Sequence, residues 1–225
     1  MKLAIIYSGG KDSNMALLLA KREGHEIKCL INIMPENKYS YMFHYPNADL
    51  TNLQAIALEL PLIQIKTKGE KEKELDDLKK AIKQAIKEYK IDGIAIGGIK
   101  SNYQGSRFEK IAQELKIKVF CPLWQKDELE VIRDLKKEKF KTIFVNVAAD
   151  RLNKSFLNKE ITDYIGFFEK NRKILNPAGE GGEYESLVLD MPMFKKRIEI
   201  IDYDIKEISE NEAEMIIKKA RLVKK

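Results

Sequence analysis

Near the start of the chain stands the stretch Ser8-Gly9-Gly10-Lys11-Asp12-Ser13, between the apolar run Leu3–Tyr7 and the helix-forming run Asn14–Glu23. A strand, a tight Gly-Gly turn and a helix N-terminus in this order favour an anion-binding pocket. Glycines let backbone N–H groups approach oxygen closely, and the first turn of a helix has unpaired N–H groups and a positive dipole end. The serines add hydroxyl donors, and Asp12 offers a carboxylate suited to Mg²⁺ that bridges phosphates. The alternative is an ordinary strand–helix turn.

The rest of the chain alternates between short apolar runs and amphipathic runs. Such alternation predicts an α/β fold with a parallel sheet and helices on both faces, in which ligands bind beyond the carboxyl ends of the strands. The Ser8–Ser13 loop stands at that end of the first strand. We expect strands over 2–7, 27–34, 62–66, 93–98, 117–121 and 142–147, and helices over 12–23, 50–59, 72–89, 105–115, 127–138 and 154–170.

The pattern changes after Pro122-Leu123-Trp124. Beyond it come one more α/β stretch, a segment rich in Gly and Glu, and two β-like runs at 186–189 and 197–203. We therefore predict two domains, a nucleotide-binding domain over 1–125 and a smaller α/β substrate domain over 126–225.

Composition narrows the class of protein. The chain has 225 residues, 41 Lys and Arg against 35 Asp and Glu, and no apolar run long enough for a membrane span. Cys29 and Cys121 form no C-x-x-C pair, so neither a zinc site nor a redox pair is indicated, and their apolar surroundings favour buried, reduced thiols in the cytoplasm. The excess positive charge is mostly interspersed along solvated helix faces, although it could attract tRNA or an acidic protein.

Two further segments contain chemically versatile side chains. His44 precedes a Pro-Asn turn that would present it, but a lone His in an aromatic loop is more often a structural hydrogen-bonding group. The stretch from Gly97 to Glu109 has a glycine pair at a strand end and then Arg107 near a helix start, where a guanidinium suits phosphate or carboxylate. A helix-capping turn with a surface ion pair explains this stretch equally well.

The segment Gly179-Glu180-Gly181-Gly182-Glu183-Tyr184-Glu185-Ser186 is the most unusual in the chain. Its three clustered carboxylates repel one another unless they meet a cation, such as a metal or an ammonium. One of them could act as a general base that converts ammonium to ammonia. The alternative is a flexible acidic loop.

These segments carry a family resemblance. The loop pattern S-G-G-x-D-S resembles the pyrophosphate (PP) loop of the N-type ATP pyrophosphatases, which cleave ATP between its α- and β-phosphates. The order of the loop, the Met42–Asn47 stretch, the Ser101–Glu109 stretch, Pro122–Trp124 and Gly179–Ser186 is similar to that of diphthine–ammonia ligases over about residues 3–194. The resemblance implies a Rossmann-like ATP domain of the adenine nucleotide α-hydrolase type. It also implies ATP-dependent amidation of diphthine on translation elongation factor 2, with AMP and pyrophosphate as products.

The resemblance also implies site residues. For Lys11 two orientations stay open, one toward a phosphate and one toward solvent, and the three Glu roles stay undivided. Catalysis is expected from Asp12, Glu180, Glu183 and Glu185, with Asp12 also holding Mg²⁺. The residues expected to bind ATP are Ser8, Gly9, Gly10, Lys11, Asp12, Ser13, Ile33, Met34 and Gly97. Those expected to bind the substrate are His44, Ser101, Tyr103, Gln104, Arg107, Glu180, Gly181, Gly182, Glu183, Tyr184 and Glu185. Among them, Tyr184 offers a cation–π face to the trimethylammonium group of diphthine.

Two other functions stay open at this stage. One is a tRNA-modifying enzyme of the same superfamily, and the other is an adenine-nucleotide sensor without catalysis. No glutaminase signature is present, so free ammonium or a separate protein is the expected nitrogen source. The sequence does not decide whether the chain forms a homo-oligomer.

Overall fold

The computed structural model describes residues 1–35, 50–67, 73–98 and 102–225, with backbone alone at 35, 73 and 102–105. The chain packs as two compact units. One comprises Met1–Ser8 with Asp12–Trp124, and the other comprises Gly9–Lys11 with Gln125–Lys225. Among the helices so described, none has the length and apolarity needed to cross a bilayer.

The first unit is built on a five-stranded sheet in which every pairing is parallel. Its strand order is β3-β2-β1-β4-β5, and the expected parallel α/β sheet is confirmed. Its elements are β1 (Lys2–Ile6), α1 (Lys11–Arg22), β2 (Glu26–Pro35), α2 (Thr51–Leu58), β3 (Leu62–Thr67), α3 (Lys73–Tyr89), β4 (Gly93–Ala95), α4 (Asn102–Leu115) and β5 (Lys118–Phe120).

The core of this unit lies between α3 and the sheet. Leu78 and Ile82 of α3 are fully buried against Ile31 of β2 and Ile94 of β4. The three- and four-residue spacing of apolar side chains on α3 therefore forms the packing face that the sequence predicts. Cys29 lies in the same cluster, and burial raises the pKa of its thiol to about 12.

The second unit contains an antiparallel sheet of strand order β7-β6-β9-β8. Aromatic rings cluster on this sheet: Phe144 of β6 lies edge-on to Tyr184 of β7 and to Phe156 outside the sheet, with ring centroids 5.0 and 5.7 Å away. The elements are α5 (Glu128–Lys137), β6 (Lys141–Ala148), α6 (Ile165–Asn171), β7 (Tyr184–Asp190), β8 (Lys196–Ser209) and β9 (Glu212–Lys224).

The predicted helix over 154–170 is wrong. The segment forms 3₁₀ turns at Lys154–Phe156 and Ile161–Tyr164, and only then the short helix α6. Between the turns, Asn158 adopts a left-handed backbone with φ of 61°, which no continuous α-helix accommodates. Leu157 forms an isolated bridge to Phe144 of β6, so the segment follows the sheet instead of forming a long helix.

The end of the chain also differs from expectation. The run predicted over 197–203 is part of the much longer strand β8, and β9 has no counterpart among the predicted elements. Residues 212–224 are rich in Lys, Glu and Ala, which are depleted in strands on average. Pairing with β8 along nearly the whole hairpin imposes the extended conformation, and this long-range contact overrides local preference.

Candidate functional site

The phosphate-loop motif has the backbone form that its sequence predicts. Gly9 lies at φ of 83°, a conformation that side chains disfavour, and α1 begins at Lys11 with Asp12 in its first turn. The hydroxyl oxygens of Ser8 and Ser13 are 3.3 Å apart, so the two donors flank the turn as a pair. A helix N-terminus beside two hydroxyl groups is a suitable environment for an anion.

Gly97 has a steric role that its neighbour lacks. A Cβ atom on Gly97 would lie 2.5 Å from the carbonyl carbon of Asp12 and 2.7 Å from the amide nitrogen of Ser13. The chain after β4 therefore passes directly against the first turn of α1, and only glycine permits that approach. A Cβ atom on Gly98 would meet no atom of the described residues within 4 Å.

A buried polar pair supports both ends of the loop, and the sequence reasoning missed it. The hydroxyl of Tyr7 donates to Oδ1 of Asn14 at 2.8 Å, which links the residue before the loop to α1. The side-chain amide Nδ2 of Asn32 donates to the backbone carbonyl oxygen of Tyr7, also at 2.8 Å. Burial raises the pKa of Tyr7 far above its ordinary range, against the opposing effect of Asn14, so its phenol stays a neutral donor.

Asn32 also belongs to a wider polar network in the first unit. Nε2 of Gln64 lies 3.2 Å from Oδ1 of Asn32 and 3.1 Å from the hydroxyl of Thr51. Asn32, Thr51 and Asn14 are all almost fully buried. The sequence signal that could have revealed this network is a polar side chain within an apolar run, because such a side chain needs hydrogen-bond partners when the run is buried.

Lys11 takes neither orientation that the sequence left open. Its side chain is only 3% exposed, and its ammonium donates to the carbonyl oxygen of Ala178 at 2.5 Å. The same nitrogen lies 5.3 Å from the centroid of the Tyr184 ring. The Lys11 amide donates to the hydroxyl of Ser186 at 3.1 Å, and Val188 donates to the carbonyl of Gly9. The tip of the loop thus packs within the second unit.

The carboxylate-rich segment is held by one of its own acidic residues. The carboxylate of Glu183 accepts from the amides of Gly181 at 2.8 Å and Asn176 at 3.2 Å. Glycines at positive φ, Gly179 and Gly182, allow the chain to turn back on itself. The segment is therefore an ordered turn, and the alternative of a flexible acidic loop does not hold.

Tyr184 differs most from its expected role. Its side chain is 3% exposed, its hydroxyl donates to the carbonyl of Pro177 at 2.6 Å, and its ring stacks on Phe168. The cation near its ring is Lys11 of the same chain. The geometry makes Tyr184 a packing residue of the turn, so we correct the expectation that its face is presented to a ligand. Glu180 and Glu185 on either side are partly exposed.

The other predicted site residues have varied positions. Arg107 lies in the second turn of α4, not at its start, because the helix begins at Asn102. Ile33 is buried in the core, so its main chain alone can border a ligand, while Met34 is partly exposed. Tyr103 and Gln104 lie in α4 with undescribed side chains, and His44 and Ser101 lie outside the described residues.

The described residues contain no cluster of three or more His, Cys, Asp or Glu side chains that could hold a metal by themselves. The donor at the loop is the single carboxylate of Asp12 in the first turn of α1. One carboxylate together with phosphate oxygens is the usual way that proteins bind Mg²⁺ with a nucleotide, so the loop fits that ion.

Comparisons with known proteins cover almost the whole chain. The family model described as diphthamide synthase N-terminal domain matches residues 1–119. The model described as diphthamide synthase C-terminal domain matches residues 127–223.

Among curated relatives, the diphthine–ammonia ligase of Mus musculus is 31% identical over 219 residues, which are 88% of this chain and 82% of that protein. The Homo sapiens protein of that name is 32% identical and covers 90% of this chain and 83% of its own length. The Schizosaccharomyces pombe protein is 34% identical over 94% of this chain, which spans 38% of that longer relative. A solved structure titled as a predicted subunit of tRNA methyltransferase from Methanocaldococcus jannaschii is 18% identical, with a TM-score of 0.42 over 85% of this chain and 98% of its own.

Proposed function

Because the chain belongs to the diphthamide synthase family, we propose that it amidates the diphthine residue of translation elongation factor 2 with ATP and ammonium. The observation that carries the proposal is the match of both family domains, which together span the loop at Ser8–Ser13 and the turn at Gly179–Glu185.

The reaction has two balanced steps. The diphthine carboxylate attacks the α-phosphorus of ATP, and pyrophosphate leaves as the acyl adenylate forms. Ammonia then attacks the acyl carbon, the C–O bond to AMP breaks, and the nitrogen loses a proton as the amide forms. Adenylation is needed because a free carboxylate is a poor electrophile and its oxygen a poor leaving group.

The loop supplies the nucleotide side of this chemistry. Backbone N–H groups within Gly9–Ser13, other than the Lys11 amide that donates to Ser186, and the hydroxyls of Ser8 and Ser13 hold the β- and γ-phosphates, the part of ATP that departs. Their positions are set before ATP binds, since Gly97 packs on Asp12–Ser13 and Tyr7 is tied to Asn14. Preorganised donors stabilise charge that develops on the leaving group without reorganising at the moment of reaction.

Asp12 is the residue through which Mg²⁺ would be held. The ion, when bound with ATP, neutralises charge on the departing pyrophosphate. Main chain near Ile33 and Met34 borders the adenine, and Gly97 allows the close backbone approach on which the loop depends.

The carboxylate segment supplies the substrate side. Glu180 and Glu185 bind the trimethylammonium-bearing side chain or take a proton from ammonium, and Glu183 shapes the turn through the amides of Gly181 and Asn176. This division separates Glu183, which orders the turn, from Glu180 and Glu185, which act on the ligand. Further contacts to the protein substrate are proposed for His44, Ser101, Tyr103, Gln104 and Arg107.

The partners follow from the reaction. Elongation factor 2 is the protein substrate, and ammonium is the nitrogen donor. The proposal also places the protein in the cytoplasm, the compartment in which translation occurs. The excess of basic residues, +6 in net charge, suits an acidic protein surface.

The deciding experiment is amidation of diphthine-bearing elongation factor 2 by the purified chain with ATP, Mg²⁺ and ammonium. AMP, pyrophosphate and the mass of the modified histidine are followed together. We expect one AMP per amide and the mass change for exchange of OH for NH₂. The matched control omits ammonium, and no amide should form in it even if AMP is released.

Two results would contradict the proposal. AMP release that depends on bulk tRNA, with no change in the elongation factor, would favour a tRNA-modifying enzyme. Tight binding of ATP with no pyrophosphate under any condition would favour a nucleotide sensor.

A further inference from the structure

Lys11 is a buried cation within a loop whose proposed ligand is an anion. Its side chain is 3% exposed, and its ammonium lies on the Ala178 carbonyl and near the Tyr184 ring. A buried ammonium is costly unless an acceptor or an aromatic face compensates for lost water, and this one has both. The side chain of Lys11 is therefore committed to the turn at Pro177–Tyr184.

The backbone around Lys11 reinforces that commitment. Its amide donates to the Ser186 hydroxyl at 3.1 Å, and the Gly9 carbonyl accepts from the Val188 amide at 3.1 Å. Strand β7 lies at one edge of the antiparallel sheet, so Gly9 satisfies a donor on its outer side. The loop tip thus binds both β7 and the turn that precedes it.

We propose that Lys11 is a positioning residue, which fastens the turn carrying Glu180 and Glu183 to the loop tip at Gly9–Lys11 through the Ala178 carbonyl and does not bind phosphate. The inference rests on the proposed function for the roles of those carboxylates, but not for the fastening itself. A separate hydrogen bond closes the turn on itself: the Tyr184 hydroxyl donates to the Pro177 carbonyl at 2.6 Å.

The test compares Lys11→Met, Lys11→Arg and Tyr184→Phe by two measurements that need no turnover. Hydrogen exchange over 176–184 reports the order of the turn, and calorimetry with a non-hydrolysable ATP analogue and Mg²⁺ reports nucleotide affinity. We expect Lys11→Met to raise exchange by about tenfold or more, because a hydrogen bond from a charged donor is lost. The Kd for nucleotide should stay within about twofold.

The other two variants should change hydrogen exchange over 176–184 by smaller amounts. Tyr184→Phe should raise exchange over the same segment less, since it removes one neutral hydrogen bond. Lys11→Arg keeps the charge and the donors and should restore most of the protection. In the amidation assay Lys11→Met should lower kcat and leave the KM for ATP near that of the wild type.

Opposite results would overturn the inference. Unchanged exchange over 176–184 in Lys11→Met would show that Lys11 does not fasten the turn. A rise of about tenfold or more in its Kd for the ATP analogue would make Lys11 a phosphate ligand. Should Lys11→Met fail to fold, Lys11→Gln carries the same test with a neutral donor. A wild-type chain inactive on diphthine would refute the proposed function and leave both of these measurements intact.

Discussion

The phosphate loop and the carboxylate-rich turn both contain motifs that stand out in the sequence, but they use their residues differently. In the loop, the chemically suggestive groups are backbone donors and two hydroxyls, and their placement follows from the turn and the helix start. In the turn, one of the three carboxylates is used on the chain's own amides, and the aromatic residue between them is buried.

The difference teaches how far a motif can be interpreted without its surroundings. A backbone anion site is local, because consecutive residues build it. A cluster of acidic side chains is not local, because each carboxylate can turn to ligand, to solvent or to a neighbouring amide. Lys11 is part of the loop in the sequence, but its side chain contacts the turn, and this contact determines its orientation.

The largest effect is expected at Asp12. Asp12→Asn keeps the shape of the side chain but removes the charge proposed to hold Mg²⁺, so amide formation should fall about a hundredfold or more. The rate at which AMP and pyrophosphate are released measures this turnover. Asp92→Asn is the matched control, since that carboxylate accepts from the Lys2 amide at the opposite end of the chain's first strand and should leave turnover unchanged. Equal turnover in both variants would contradict the role of Asp12.

The next effect tests whether the loop depends on close packing. Gly97→Ala places a methyl group 2.5 Å from the Asp12 carbonyl carbon, so we expect a loss of about 1–3 kcal/mol in the free energy of unfolding. Nucleotide affinity should fall as well, because the loop must shift. Gly98→Ala should change neither, because its methyl group would meet no atom within 4 Å in the part of the chain that the structure describes. Urea unfolding and calorimetry with an ATP analogue distinguish the pair, and identical curves for both variants would refute the packing argument.

A moderate effect is expected within the turn. Glu183→Gln replaces one of two acceptor oxygens with a donor, so exchange of the Gly181 and Asn176 amides should rise about tenfold. Glu185→Gln should leave those amides protected, because neither is bonded to its carboxylate. Mass spectrometry of exchanged peptides decides the comparison. A Glu185 variant that loosens the same amides would remove the distinction between the two residues.

The smallest effect lies outside both regions, at Asp127. Its side chain caps α5 through the amides of Leu129 and Glu130, so Asp127→Ala should cost about 1 kcal/mol of unfolding free energy without altering turnover. Asp127→Asn keeps an acceptor for the cap and should cost less.

The same group predicts a pH dependence. Partial burial raises the pKa of Asp127, but the hydrogen bond from Arg172 and those from the helix amides outweigh it and leave that pKa below the ordinary value. Its contribution to stability is therefore complete above about pH 4 and is lost as pH falls through the lowered pKa. Urea titrations of wild type and Asp127→Asn should converge under acid conditions, and a constant gap would contradict the assignment.

Local patterns anticipated much of the first unit. The apolar spacing on α3, the alternation of strands and helices and the turn at Gly9 each follow from neighbouring residues. One prediction failed, and one strand was missed, where distant contacts prevailed. The segment 154–170 follows β6 instead of forming one helix, and β9 is extended because it pairs with β8.

The sequence by itself determined the phosphate-loop motif, the parallel sheet and the family resemblance, because each depends on the order and spacing of nearby residues. Only the tertiary structure decided that Lys11 reaches Ala178, that Glu183 holds its own turn and that Tyr184 is buried. The physical reason is that a side chain's partner depends on which distant segments burial brings within hydrogen-bonding distance, and no local pattern specifies them.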